Sequence, residues 1–298
     1  AVIAELSEAR AYAVVDALTR TIVTVAAIGV AAAAVGALLF AQGITRPILR
    51  IGEAARRVGQ GDFAVRVPQS RLRDEIGDLA GRFNAMIGEL SERMELMKFV
   101  SDSTVAAIGR AEGLGVARGG ERREVAVLFS DIRGYTAFSG SVPPEVVVEM
   151  LNLYLDTQTR LVRDHGGDVD KFVGDAMVAV FDGPGREGRA VACGPAIQAA
   201  MQGLLAARPE WNLGLGIGIA AGEVVIGAMG AKDRMDFAVL GATVNLAARL
   251  CSKAEAGAVL VNEAAARGAA GFDALDPMPL KGYAEPVPAF AARQALAA

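Results

Sequence analysis

The most apolar stretch of the chain, Ile22 to Ala41, carries no charge and is polar only at Thr24. Its length matches the roughly 20 residues a helix needs to cross a bilayer. A helix that is apolar on every face suits a membrane better than a half-solvated core. A long amphipathic segment precedes the run and no small-residue cleavage site is clear, which argues against a signal peptide. Arg46, Arg50, Arg56 and Arg57 follow it, whereas Glu5, Glu8 and Asp16 offset Arg10 and Arg20 before it. The positive-inside bias therefore predicts a cell (inner) membrane span with the C-terminal side in the cytoplasm.

Beyond the run the apolar period becomes helical. Ile44, Ile48, Ile51, Ala55 and Val58 alternate spacings of four and three, as do Ile76, Leu79, Phe83, Met86 and Leu90. Such strict stripes predict coiled-coil seams. Between them, Gly59-Gln60-Gly61-Asp62-Phe63 through Pro68 reads as a connector. Pro47 stands at the entry of the first stripe, and Asp74-Glu75 opens the second, where negative charge suits a helix N-terminus. The step from Leu90 to Met94 repeats the spacing of four, a slip that locally unwinds a coiled coil. Phe99 to Ile108 is predicted to continue as helix, and Gly-rich Ala111 to Gly120 as a hinge.

From Glu121 onward, strand and helix patterns alternate. The predicted elements are a buried strand (Glu124 to Ser130), a helix (Pro144 to His165) and two strands (Asp168 to Val173, Ala176 to Phe181) joined by Gly174-Asp175. A helix (Arg186 to Ala206), two strands (Leu213 to Ala221, Val224 to Met229), a helix (Thr243 to Ala254) and a short strand (Ala258 to Val261) follow. The early order βαββαβ predicts an α+β, ferredoxin-like core with helices on one face of an antiparallel sheet.

Composition sharpens this picture. The 298 residues suit about two domains. A mean hydropathy of +0.36 is high for a wholly soluble chain. The net charge of −4 provides no basic field, so no nucleic-acid partner is expected. Cys193 and Cys251 read as free thiols of a reducing compartment, and His165 is the single histidine, which excludes histidine-rich metal sites. The chain begins at Ala1 instead of a methionine, as expected of a fragment.

Several polar positions carry candidate chemistry. Asp131 leaves a buried strand just before a predicted helix start, where a carboxylate can hold a divalent cation and backbone N–H groups can hold phosphate. Asp175 stands at a hairpin tip; if that hairpin pairs beside the first strand, both carboxylates reach one end of the sheet. Taken singly, Asp131 also reads as a helix cap and Asp175 as a turn residue. Asn245 and Arg249 share a helix face and suit a ribose oxygen and a phosphate, or else form an exposed polar stripe. Lys171 sits in an apolar strand, as a donor to a base or as a lysine with a solvated head.

Two resemblances follow from these residues. Arg46-Pro47-Ile48, Gly61-Asp62-Phe63, Asp74-Glu75-Ile76-Gly77 and Phe83-Asn84-Met86 resemble a HAMP domain over residues 42–94. That implies a parallel four-helix bundle made by two chains, passing signals from the membrane to an output domain. Phe129-x-Asp131-Ile132-x-Gly134-Tyr135-Thr136, Lys171-Phe172-Val173-Gly174-Asp175 and Gly241-x-Thr243-Val244-Asn245-Leu246-Ala247-x-Arg249-Leu250 resemble class III nucleotidyl cyclases. The implied division is a juxtamembrane segment (1–21), a transmembrane helix (22–41), a HAMP domain (42–94), a helical linker (95–120) and a catalytic domain (121–298).

The resemblance implies a head-to-tail homodimer, paired through the HAMP and cyclase domains, that makes cyclic AMP from ATP. Asp131, Ile132 and Asp175 of one chain would hold two Mg²⁺ or Mn²⁺ ions, with Ile132, Gly134, Tyr135 and Thr136 facing phosphates. Lys171 of the other chain would meet adenine, and its Asn245 and Arg249 the ribose and the transition state. Arg234 and Lys281 fall near positions that take terminal phosphates. Ala238 stands where relatives carry Asp or Thr to read the purine, while Lys171 replaces the Glu of guanylate-type relatives. Adenylate cyclase is therefore expected, with a guanylate cyclase or a catalytically inactive signalling module as alternatives.

Overall fold

The computed structural model describes residues 8–68, 75–110, 119–231, 235–267 and 271–293. It divides into two compact units, Ala1–Leu96 and Met97–Ala298.

In the first unit, helix α1 (Glu8–Phe40) runs without a break through a π-helical turn (Ala41–Thr45) into α2 (Arg46–Gly59). The Arg46 N–H bonds the Ala41 carbonyl, five residues back, and the flanking residues keep right-handed helical angles. The apolar run is thus one part of a longer rod. The continuous helix over Val15–Gly59 is long and apolar enough to cross a membrane, and its most apolar window buries nothing within the chain. After the connector, α3 (Glu75–Leu96) packs against α2 around Ala54, Val67 and Ala80, with Ile51, Val65 and Phe83 alongside. Small residues at 54 and 80 let the helices approach closely.

The Asn84 carboxamide clamps the connector by accepting from the Val67 N–H (2.9 Å) and donating to its carbonyl (2.8 Å). The predicted seams are only partly covered within one chain. Ala54 is buried, and not its predicted neighbour Ala55, while Ile44, Ile48, Leu79 and Met86 stay 41–49% exposed. Asp74 lies outside the described residues.

The second unit opens with a 3₁₀ turn (Met97–Phe99) and α4 (Asp102–Arg110). The helix predicted over Phe99 to Ile108 is interrupted here because Ser101 starts a new one. Its Oγ accepts from the Thr104 N–H (3.4 Å), while the Ser103 N–H donates to the Asp168 carboxylate (2.8 Å). Most of the predicted hinge, 111–118, lies outside the described residues, and Gly119 and Gly120 already belong to a strand.

That strand is β1 (Gly119–Arg133). It is followed by α5 (Tyr135–Ser139), α6 (Pro144–Asp164), β2 (Asp168–Val173), β3 (Ala176–Asp182), α7 (Arg186–Ala207) and β4 (Gly214–Gly230). The chain continues through β5 (Met235–Leu240), α8 (Ala242–Lys253), β6 (Val259–Asn262), α9 (Glu263–Ala266), β7 (Phe272–Ala274) and β8 (Ala289–Ala292). The sheet order is β2-β3-β1-β4-β6-β8-β7, with β5 also on β4. The core order β2-β3-β1-β4 is antiparallel throughout, as a ferredoxin-like core requires. The two strands predicted over Leu213 to Met229 are one. β1 pairs with β4 from Gly214 to Ala228, and the register runs unbroken through Gly222 (φ +155°).

Successive side chains of a strand alternate faces, so β1 supplies two cores. Ala126, Leu128 and Ile132 pack with Met150 and Tyr154 of α6 and Ile197 and Met201 of α7. Val125 and Val127 pack on the other side with Val178, Val180, Ala220 and Ala247 of α8. The two helices of the βαββαβ core, α6 and α7, thus share one face as predicted, and α8, which follows that core, covers the other. α7 is apolar enough to pass for a membrane span, yet it lies in the first core.

The α8 contact explains a glycine pattern. Gly214, Gly216 and Gly218 alternate in β4 and so share one face. A Cβ at Gly218 would fall inside 3.0 Å of Cys251 N and Ala247 O, so α8 lies directly on the strand backbone.

Candidate active site

The β2–β3 register, Val173 opposite Ala176, makes a two-residue turn of Gly174 and Asp175, with Gly174 at φ +65°. β3 in turn pairs with β1, Met177 opposite Ser130. Asp175, two residues before Met177, and Asp131, one beyond Ser130, therefore arrive at the same end of the sheet. Their carboxyl groups lie close enough for each charge to act on the other, and the Asp175 carboxyl lies beside its own N–H and that of Ile132.

Burial raises the Asp175 carboxyl above the ordinary Asp range, and the neighbouring Asp131 charge raises it further, against the opposing pull of those N–H groups. Among the described residues no third His, Cys, Asp or Glu joins the pair. Two converging carboxylates with raised mutual repulsion fit a divalent cation whose remaining positions are left to phosphate oxygens and water.

The raised Asp175 value has a stability consequence with a definite sign. The folded carboxyl binds its proton more tightly than the unfolded one, so this group's contribution falls as pH rises from the ordinary Asp range through the raised value. Asp175→Asn removes that penalty. The metal-free variant is expected to melt above the wild type at neutral pH, with the difference closing as pH falls to about 3. Calorimetry across that range checks it; a wild type that melts higher at neutral pH would refute it.

The other predicted residues distribute as follows. Gly134 (φ +85°) turns the chain from β1 into five-residue α5, with Ile132 buried, Tyr135 half-buried against the first core and Thr136 exposed. The first N–H groups of any helix lack intrahelical acceptors, so α5 offers donors beside the carboxylate pair. Lys171 pairs across β3 Val178 and shares its face with Phe129 and Asp131. Its Nζ lies 3.4 Å from Asp170 Oδ2, a carboxylate only 5% exposed. Burial raises Asp170 despite the Lys171 charge.

Asn245 and Arg249 are exposed on α8, whose Ala247, Leu250 and Cys251 face inward. Neither side chain bonds a partner among the described residues, the carboxylate pair included. Ala238 is buried in β5 opposite Gly227. Lys281 is exposed between β7 and β8, and Arg234 lies outside the described residues. A cavity of about 740 Å³ opens at the other end of the sheet, beside Arg123, Asp168 and Asp182, and none of the predicted residues lines it.

One residue at the site escaped the sequence reading. Arg133 forms an ion pair with Asp131 and reaches the end of α8. Its place two residues from Asp131 on the same strand face was the available signal.

Residues 119–290 match the adenylate and guanylate cyclase catalytic domain, and residues 39–92 match the HAMP domain. An uncharacterized protein of Mycobacterium tuberculosis (strain ATCC 25618 / H37Rv) is 37% identical over 218 residues, 70% of this chain and 38% of that protein. The chain thus spans less than two-fifths of the length of that relative. The solved adenylyl cyclase CyaB from P. aeruginosa is 30% identical with a TM-score of 0.55, covering 59% of this chain and 97% of that one. The guanylyl cyclase Cya2 is 34% identical with a TM-score of 0.53, covering 59% and 94%. The fold, the motif positions and these matches together mean that this chain belongs to the class III adenylate and guanylate cyclase family and carries a HAMP domain ahead of its catalytic domain.

Proposed function

We propose that the chain is the membrane-anchored catalytic portion of an adenylate cyclase, forming 3′,5′-cyclic AMP and pyrophosphate from ATP at sites shared by two copies. The observation that carries this reading is the meeting of Asp131 and Asp175 at one rim of the sheet, while Asn245 and Arg249 stand exposed and unpartnered among the described residues. Side chains so placed are available to a nucleotide held by a second copy. The exposed apolar positions Ile44, Ile48, Leu79 and Met86 in the HAMP helices support the same pairing. The apolar rod ahead of them supports a membrane span, and the arginines that follow it support a cytoplasmic catalytic domain.

In this reading Asp131, Asp175 and the Ile132 carbonyl hold two divalent cations, Mg²⁺ or Mn²⁺, which when bound neutralise phosphate charge and acidify the attacking hydroxyl. Backbone N–H groups at Gly134, Tyr135 and Thr136 take phosphate oxygens. Lys171 of the partner chain donates to the adenine, its Asn245 orients the ribose, and its Arg249 faces the negative charge that develops at the α-phosphate. Arg234 and Lys281 bind the terminal phosphates.

Ala238 favours a second reading, because no side chain at that position reads the purine edge. Guanylate cyclase is therefore the alternative, in keeping with similarity to both an adenylyl and a guanylyl cyclase. Incubating the full chain with ATP and GTP, each with Mg²⁺ and with Mn²⁺, and quantifying both cyclic products decides. Cyclic AMP is expected to dominate. A dominant cyclic GMP product would move the assignment to guanylate cyclase, and neither product from a verified dimer would mean an inactive signalling module.

A further inference from the structure

Arg133 occupies a socket made by three elements. It follows Asp131 by two residues in β1 and so lies on the same face of the sheet. Its side chain is 24% exposed, and each of its three guanidinium nitrogens donates a hydrogen bond. Nη1 donates to Asp131 Oδ2, Nη2 to the Cys251 carbonyl, and Nε to the Ala254 carbonyl at 2.9 Å. Those two carbonyls lie at the C-terminal end of α8, where a helix carries its negative dipole end, and the Cys251 carbonyl also accepts from the Ala254 N–H. β4 contributes an absence of bulk, since a Cβ at Gly216 would fall inside 3.0 Å of Arg133 Nη2. Only a planar fork of donors spans a carboxylate and two carbonyls from one stem; a lysine ammonium cannot.

We propose that Arg133 is a positioning residue that ties Asp131 to the last turn of α8 and shares the Asp131 carboxylate with the divalent cation. The proposal rests on the reading of Asp131 as a cation ligand. Two consequences of opposite sign follow. The guanidinium charge beside the carboxylate pair opposes cation binding, so losing it tightens binding. The bridge also holds the helix that carries Asn245 and Arg249, so losing it slows turnover. A residue that served packing alone would weaken both.

The test uses the full chain in lipid nanodiscs with Arg133→Met and Arg133→Lys. Mn²⁺ uptake by nucleotide-free protein is read by electron paramagnetic resonance. Arg133→Met is expected to bind Mn²⁺ at least about threefold tighter, the effect of one charge removed at close range in a medium between protein and water. Its kcat with ATP is expected to fall about tenfold or more, with KM little changed, because a helix displaced by a fraction of an ångström misaligns the reacting groups. Arg133→Lys keeps the charge but not the fork, so it should restore wild-type Mn²⁺ affinity without restoring kcat. Unchanged or weaker Mn²⁺ binding in a folded Arg133→Met protein overturns the proposal, as does wild-type kcat in either variant. If Arg133→Met does not fold, Arg133→Lys alone decides through its kcat at unchanged affinity. Mn²⁺ uptake that survives Asp131→Asn in otherwise unaltered protein would instead sink the reading of Asp131 itself.

Discussion

Asp175→Ala is expected to lower cyclase turnover by at least about a thousandfold, or roughly 4 kcal/mol, because it removes one of two carboxylates that converge on the proposed cation site. The fold should not suffer. Asp175 sits at a hairpin tip beside exposed Gly174, outside every buried cluster, and its own burial and the Asp131 charge both oppose its ionised form. Loss of activity without loss of structure is therefore the diagnostic result, read by cyclic-nucleotide production against a thermal melt. Activity within tenfold of wild type would show that Asp131 alone suffices, and the paired-carboxylate reading would be wrong. A collapsed melt would mean the hairpin tip carries structural weight that its exposure does not suggest.

The largest stability effect is expected at Gly218. A side chain there meets Cys251 N and Ala247 O, both backbone atoms of α8, which cannot rotate away as a side-chain tip can. Gly218→Val must lift α8 off β4 and is expected to lower stability by about 3 kcal/mol, at the upper end of overpacking effects. For a domain of this size that is a fall in melting temperature of about 6–12 °C. Gly203, exposed on α7 with nothing near its missing side chain, is the control. Gly203→Ala should be neutral or stabilising by up to about 1 kcal/mol. Equal melting of the two variants would contradict the direct seating of α8 on the strand. Because α8 carries Asn245 and Arg249, Gly218→Val should also impair turnover at temperatures where it remains folded.

Local signals in the sequence were legible where short-range physics governs. The Gly174-Asp175 turn defines the β2–β3 hairpin, and the hairpin's register with β1 brings Asp175 to Asp131. Longer-range choices were not legible. The apolar run Glu124 to Ser130 marks the buried part of β1, but Glu121, Arg122 and Arg123 extend the strand only because Ile226, Val225 and Val224 lie opposite them. Strands β5, β7 and β8 are short, and their pairing depends on neighbours distant in sequence. The buried side of α8 follows from its own periodicity, yet the face of the sheet it covers follows from the bare glycines at 214, 216 and 218, which make room for a helix on one side only. The role of Arg133 was hidden for the same reason, since two of its three partners belong to α8. In the HAMP helices the heptad spacing was visible, but not which small residues, Ala54 and Ala80, meet within one chain.

The π-helical turn over Ala41–Thr45 has a geometric consequence for the rod it interrupts. A residue in an ordinary α-helix advances the phase by about 100°, and a π turn holds one more residue per loop of its ladder. Sliding those few hydrogen bonds back to the ordinary pattern, with Gly43 offering no side chain in the way, therefore swivels Ile48 and Ile51 about the long axis relative to everything on the far side of Phe40. The shaft stays unbroken while its two ends change their relative azimuth, as in a torsion coupling with a single soft joint.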